Sequence, residues 1–156
     1  MSSPLLPRRA DNEYRGRKAA LWIFGLVVFV KLAMGVNTTF NGRSVASTAD
    51  GIPLDTYTPA AAQAFVTVFA LLGVGHVVLG LLCVLVLVRY RALVPLMFAF
   101  LLLEHVGKRV VHQMMPIERT GTPPGSAINL VLLSLMVVGL ALSLWSRDQP
   151  RSSLSS

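Results

Sequence analysis

The chain has 156 residues, 54% of them hydrophobic and 13% charged, with a mean hydropathy of +0.65. Such a composition lies far above the globular range and excludes an ordinary soluble domain, while the length allows one domain. The formal charge of +7 is no nucleic-acid footprint, because the basic residues gather at a few segment ends and no RNA or DNA motif accompanies them.

In chain order, residues 1–18 form a basic N-terminal segment carrying Arg8, Arg9, Arg15, Arg17 and Lys18. Four apolar segments follow, at about 19–36, 59–88, 92–115 and 127–146. Crossing a hydrocarbon core about 30 Å thick takes roughly 20 residues; the first segment is a little short and the second long, so tilt or frayed ends are expected. Runs such as "VVLGLLCVLVLV" are apolar all round, which in water requires a much larger protein to cover them. Thr58 is placed to cap the second segment, with Pro59 at its first helical position. Pro95 lies in the first turn of the third, where proline is tolerated. Pro116 and "RTGTPPGS" separate the third from the fourth. The single cysteine, Cys83, stands among leucines and valines; it excludes an internal disulfide and a cysteine-based metal site. The tail, 147–156, is polar and reads as disordered. The expected fold is therefore all-α: an integral membrane four-helix bundle of antiparallel up-down topology.

Direction follows from the lysines and arginines. The N-terminal segment, the turn with Arg89 and Arg91, and the tail with Arg147 and Arg151 are basic, whereas the opposite side keeps Arg43 and Arg119 in its loops, with Lys108 and Arg109 near a helix end. The excess predicts that both termini are cytoplasmic. Trp22 and Trp145 fall near that same end, as interfacial anchors do. A cleaved signal peptide ending at "AMG" (33–35) is the competing reading. Asp11 and Glu13 in the leader, and Lys31 just before the site, count against it.

Ionisable residues interrupt the apolar segments at a common height. Lys31, His76, Glu104, His105 and Ser134 each lie about 13 or 14 residues from a basic cytoplasmic end, or about 20 Å along a helix. Charge inside a bilayer is costly, so these groups are expected to face the bundle interior and pair. Gly73, His76 and Gly80 share one face, where small residues permit close helix approach. Glu104 and Lys108 are spaced for an i, i+4 ion pair. Lys108, Arg109 and His112 continue outward as a polar sector, read either as side chains reaching the headgroups or as a basic mouth for an anion. The candidate pocket thus comprises Lys31, His76, Glu104, His105, Lys108, Arg109, His112 and Ser134. Residues 37–58 form a long outer loop. Its Phe40, Ile52, Leu54 and Tyr57 predict a cap folded onto the bundle, with Asp50 and Asp55 available to Lys108 or Arg109.

No phosphate loop, catalytic triad or zinc signature is present, and no metal site is expected. Haem held by His76 and His105 is geometrically allowed but is the weakest of the cofactor readings. The chain resembles the DoxX-like small inner-membrane proteins of bacteria. Its "GLVVFVKLAMG" and "LLGVGHVVLGLLCVLVLVRYRALVPLM" carry the resemblance over roughly residues 19–146. Members of that family often carry a glutamate in the glycine stretch of helix two, where this chain has His76. Some relatives are subunits of quinone-reducing oxidoreductases, so the resemblance implies a fold more than an activity. Three functions stay open. One is an accessory or redox-linked subunit that binds a lipid-soluble, quinone-like molecule. The others are a scaffold whose buried charges fix helix packing, and an embedded enzyme acting on a lipid headgroup. The expected partners are the bilayer, a lipid-soluble molecule, and a second copy or another membrane subunit, with no nucleic acid.

Overall fold

The computed structural model describes Leu5, residues 10–120 and residues 124–145. Arg8, Arg9, Arg147, Arg151 and the tail 147–156 lie outside the described residues. Among those described there is helix and no strand. Four long helices carry the fold: α1 (Lys18–Phe40), α2 (Pro59–Arg89), α3 (Val94–Met114) and α4 (Pro124–Leu144).

Local chemistry explains the boundaries. Thr58 caps α2 by accepting from the Ala61 backbone N–H at 3.3 Å, and Pro59 follows it. A single 3-10 turn, Arg91–Leu93, joins α2 to α3. The first helix runs past the expected residue 36 to Phe40. Its polar last turn is satisfied locally: Thr39 Oγ1 donates to the Gly35 carbonyl and Asn41 Nδ2 to Asn37 Oδ1, both at 2.8 Å. The fourth helix begins three residues earlier than expected, on Pro124, whose missing N–H is no loss in a first turn.

The buried stripe of α1 is Ala20, Phe24, Val27, Val28, Lys31 and Gly35, spaced as one helical face. It packs with Cys83 and Val86 of α2, Val94, Met97, Phe98 and Leu101 of α3, and Leu132 and Met136 of α4. Phe24 and Phe98 meet edge to face, with centroids 5.0 Å apart. Close approaches between α1 and α2 run in opposite order along the two helices. Gly35 faces Gly73 and His76, Leu32 faces Gly80, and Gly25 faces Leu87. The outer faces stay apolar, with Trp22, Phe29, Leu71, Val78 and Leu103 all exposed. Helices α1, α2 and α4 are long and apolar enough to cross a membrane, which marks a multi-pass membrane protein. The third helix does not qualify by composition, because it packs Glu104, Lys108 and Arg109 into 21 residues.

One end of the bundle is capped by residues 41–58. Ala46, Ile52 and Leu54 are buried against Tyr57, Phe65, Val66 and Phe69. The chain reverses at Gly51, which has φ 68°. Thr120 donates its backbone N–H to the Gly51 carbonyl at 2.8 Å, tying the two loops of this end together. Of the apolar loop residues expected in the cap, Phe40 is the exception: it points outward and is exposed.

At the other end, residues 11–17 form a strap across the helix termini. The Ala92 N–H donates to the Asp11 carbonyl and the Arg17 N–H to the Leu142 carbonyl. The Arg17 guanidinium lies 4.5 Å from the Trp145 ring centroid. Tyr14 packs against the core, and burial pushes its hydroxyl pKa up to about 12.

Candidate functional site: a polar network on three helices

The polar residues of α1, α2 and α3 converge on one carboxylate. Lys31 is 8% exposed and donates to Glu104 Oε2. His76 Nε2 lies 3.0 Å from Glu104 Oε1. Lys108, one turn beyond Glu104, bends back so that its Nζ meets both Glu104 Oε1 and His76 Nε2. Glycine makes room for this meeting. A β-carbon on Gly35 would stand 3.0 Å from the His76 Cβ and 3.2 Å from the Gly73 carbonyl oxygen. The two backbones can approach closely only because both positions lack a side chain.

Burial decreases across the network. The Lys31 and Glu104 side chains are 9% and 22% exposed, and that of Lys108 is 43% exposed. From Val106 onward every residue of α3 is exposed. Lys108 is therefore the open side of the network, and Lys31 its closed side. An open depression of about 610 Å³ lies elsewhere, at the loop end of α1, lined by Thr39, Asn41, Arg43, Ser44, Ser47 and Val66.

Four of the eight candidate residues are thus brought together: Lys31, His76, Glu104 and Lys108. Ser134 is exposed and donates to the Leu130 carbonyl at 3.0 Å. The buried face of α4 runs through Leu132, Met136 and Gly139, and Ser134 sits about 200° around the helix from Leu132. His105 is half-buried beside the network and makes no hydrogen bond among the described residues. Arg109 and His112 are exposed and form no ion pair among the described residues.

Neither loop aspartate pairs with Lys108 or Arg109. Asp55 lies 3.6 Å from Arg43. Asp50 stands by the start of α4, its Oδ1 3.1 Å from where a Gly125 β-carbon would lie. Burial raises the Asp50 pKa, partly opposed by the positive fields of Arg119 and His112.

Residues not singled out from sequence are Gly35 and Thr39. Their signal was the spacing Lys31, Gly35, Thr39, one residue per turn on a single face. Haem does not fit this arrangement, because the Nε2 of His76 is engaged by Glu104 and Lys108. Compared with protein-family models, curated proteins and solved structures, the chain matches none.

Proposed function

We propose that this is a bacterial inner-membrane protein in which all four long helices form an antiparallel transmembrane bundle with cytoplasmic termini. The charges of α3 are what set it apart from the other three, and most of them meet partners on α1 and α2. Pairing of that kind is how an ionisable residue is accommodated within a bilayer. Cysteines placed at Arg43 and Arg91 test the orientation. An impermeant maleimide should label Arg43→Cys on intact spheroplasts and Arg91→Cys only after lysis, with the buried Cys83 silent. Labelling of both from one side overturns the arrangement.

Within that bundle, the proposed role is to bind the polar head of a lipid-soluble, quinone-like molecule, as an accessory subunit of a redox system. The observation that carries this reading is the surplus cation. Lys31 alone neutralises Glu104, yet a second ammonium, Lys108, converges on the same carboxylate and remains partly exposed. Its remaining N–H can donate to a ligand oxygen arriving between α2 and α3. A packing scaffold is the second reading, favoured by the way Glu104 finds all its partners within the protein. Decylubiquinone separates the two. At a hundredfold excess over Kd, a bound ligand stabilises the native state by about 2.7 kcal/mol. Thermal unfolding of the wild-type protein in detergent should shift upward, and a folded Lys108→Met variant should lose most of that shift. A wild-type protein unmoved by the quinone leaves the scaffold.

A further inference from the structure

We infer that the last two turns of α3 bind one anionic phospholipid, whose headgroup phosphate is held by Arg109 and His112. This rests on the transmembrane placement of α3 proposed above. It needs neither the quinone nor the hydrogen bonds around Glu104.

Position around the helix separates these two side chains from the lipid-facing ones. Successive residues of a helix turn by about 100°. Counted from Leu101, the buried residues Val94, Pro95, Met97 and Phe98 of the first half span about −40° to 120°. His112 and Arg109 fall at about 20° and 80°, within that same sector. Val106, Val110 and Met114 fall at about 140° to 220°, in the exposed sector that already holds Leu103 at about 200°. The polar pair therefore continues the face that packs against the bundle lower down, and the apolar residues continue the face turned to lipid. Yet from Val106 onward the bundle-side face is uncovered as well. A side chain that only reaches for water need not keep to that sector.

Charge and height select the occupant. Arg109 and His112 make no hydrogen bond or ion pair among the described residues. The acids of this end do not neutralise Arg109. Asp55 lies beside Arg43, Asp50 stands by the start of α4 within the field of His112, and Glu118 forms no ion pair among the described residues. Lys31 already balances Glu104, so the charge of Lys108 adds to that of its neighbour Arg109. A second copy of this chain offers little against them, since its Lys and Arg number 14 and its Asp and Glu 7. An anion does. At about 1.5 Å per residue, Arg109 and His112 stand about 27 and 32 Å beyond Arg91. That is where a hydrocarbon core about 30 Å thick gives way to headgroups. A guanidinium can hold two phosphate oxygens at once, and His112 adds a ring N–H. The acyl chains can descend along Val110 and Val106 on the lipid side, a flank that a soluble anion would not use. A choline headgroup would set its own cation against Lys108 and Arg109. The matched class is a phospholipid of net negative charge, such as phosphatidylglycerol.

Native mass spectrometry of the full chain in detergent tests the inference, with dioleoylphosphatidylglycerol titrated against dioleoylphosphatidylcholine. The wild-type protein should retain phosphatidylglycerol in preference by about fivefold or more, which corresponds to about 1 kcal/mol for a basic residue at an anionic surface. Arg109→Gln combined with His112→Gln should abolish the preference. Arg43→Gln, which removes a cation of the same end that is paired with Asp55, should leave it intact. Should the double variant fail to fold, Arg109→Gln alone reads the same loss. Equal retention of the two lipids by the wild type, or a preference undiminished by Arg109→Gln, overturns the site. Inorganic phosphate that displaces the lipid better than sodium chloride of equal ionic strength makes the ligand a soluble anion and overturns the lipid. Arg119→Cys, labelled by the impermeant maleimide on intact spheroplasts, decides the placement of α3 separately. A protein that labels there and shows no lipid preference overturns this inference alone.

Discussion

Glu104→Leu is expected to destabilise the detergent-solubilised protein by about 3–5 kcal/mol, the range for breaking a buried ion pair by removing one partner. The size follows from what is left behind. Lys31 is buried in the α1 stripe and has Glu104 as its one hydrogen-bond partner among the described residues. Without the carboxylate its ammonium remains in an apolar interior, and Lys108 and His76 face one another without the anion between them. Adding Lys31→Met should recover much of the loss, since replacing both members of a buried pair by apolar side chains is often nearly neutral. Denaturant or thermal unfolding of the single and double variants reads both effects. A Glu104→Leu protein within about 1 kcal/mol of wild type, below even the low end of that range, would show that the network contributes little to the fold.

The second large effect is expected at the α1–α2 crossing. A β-carbon on Gly73 would stand 2.7 Å from the Thr39 backbone nitrogen and 2.9 Å from the Gly35 carbonyl oxygen. Both obstacles are backbone, so the helices must separate rather than a side chain swing aside. Gly73→Ala should therefore cost at least the usual overpacking penalty of about 1–3 kcal/mol. It should also loosen the contact of His76 with Glu104, since His76 lies one turn along on the same face. Gly75 provides the control. Nothing lies within 4 Å of a β-carbon there, so Gly75→Ala should be neutral or stabilising by up to about 1 kcal/mol through helix propensity alone. Equal losses from both substitutions would contradict a tight crossing at Gly73.

Much of this was legible in the sequence because membrane helices are written plainly. Segment two was bounded almost to the residue, since Thr58-Pro59 and the Arg89–Arg91 turn are strong local signals. The meeting of Lys31, His76 and Glu104 followed from height along each helix and the cost of unpaired charge. Height says nothing about azimuth, which is why Ser134 matched in level yet faces away from the network. Lys108 was harder to place for a different reason. Its long side chain can run toward the headgroups or back one turn, and spacing from Glu104 permits both. The strap of residues 11–17 was not legible, because it depends on main-chain bonds to Ala92 and Leu142 that no side-chain pattern announces. The extension of α1 into Asn37–Phe40 was hidden for a related reason. Its polar side chains read as loop until their bonds to the preceding turn are seen.

The order of the network along the chain has a consequence for biosynthesis. Lys31 belongs to the first helix, His76 to the second, and Glu104 and Lys108 to the third. When the ribosome delivers the only acidic residue of the long helices, its first two partners have already been made. The fourth helix contributes no charge. The nascent chain can therefore settle its charges once the first three long helices are made, and α4 follows as an apolar wall. The strap closes only afterwards, because its bond to Leu142 waits for the last turn of α4 to emerge.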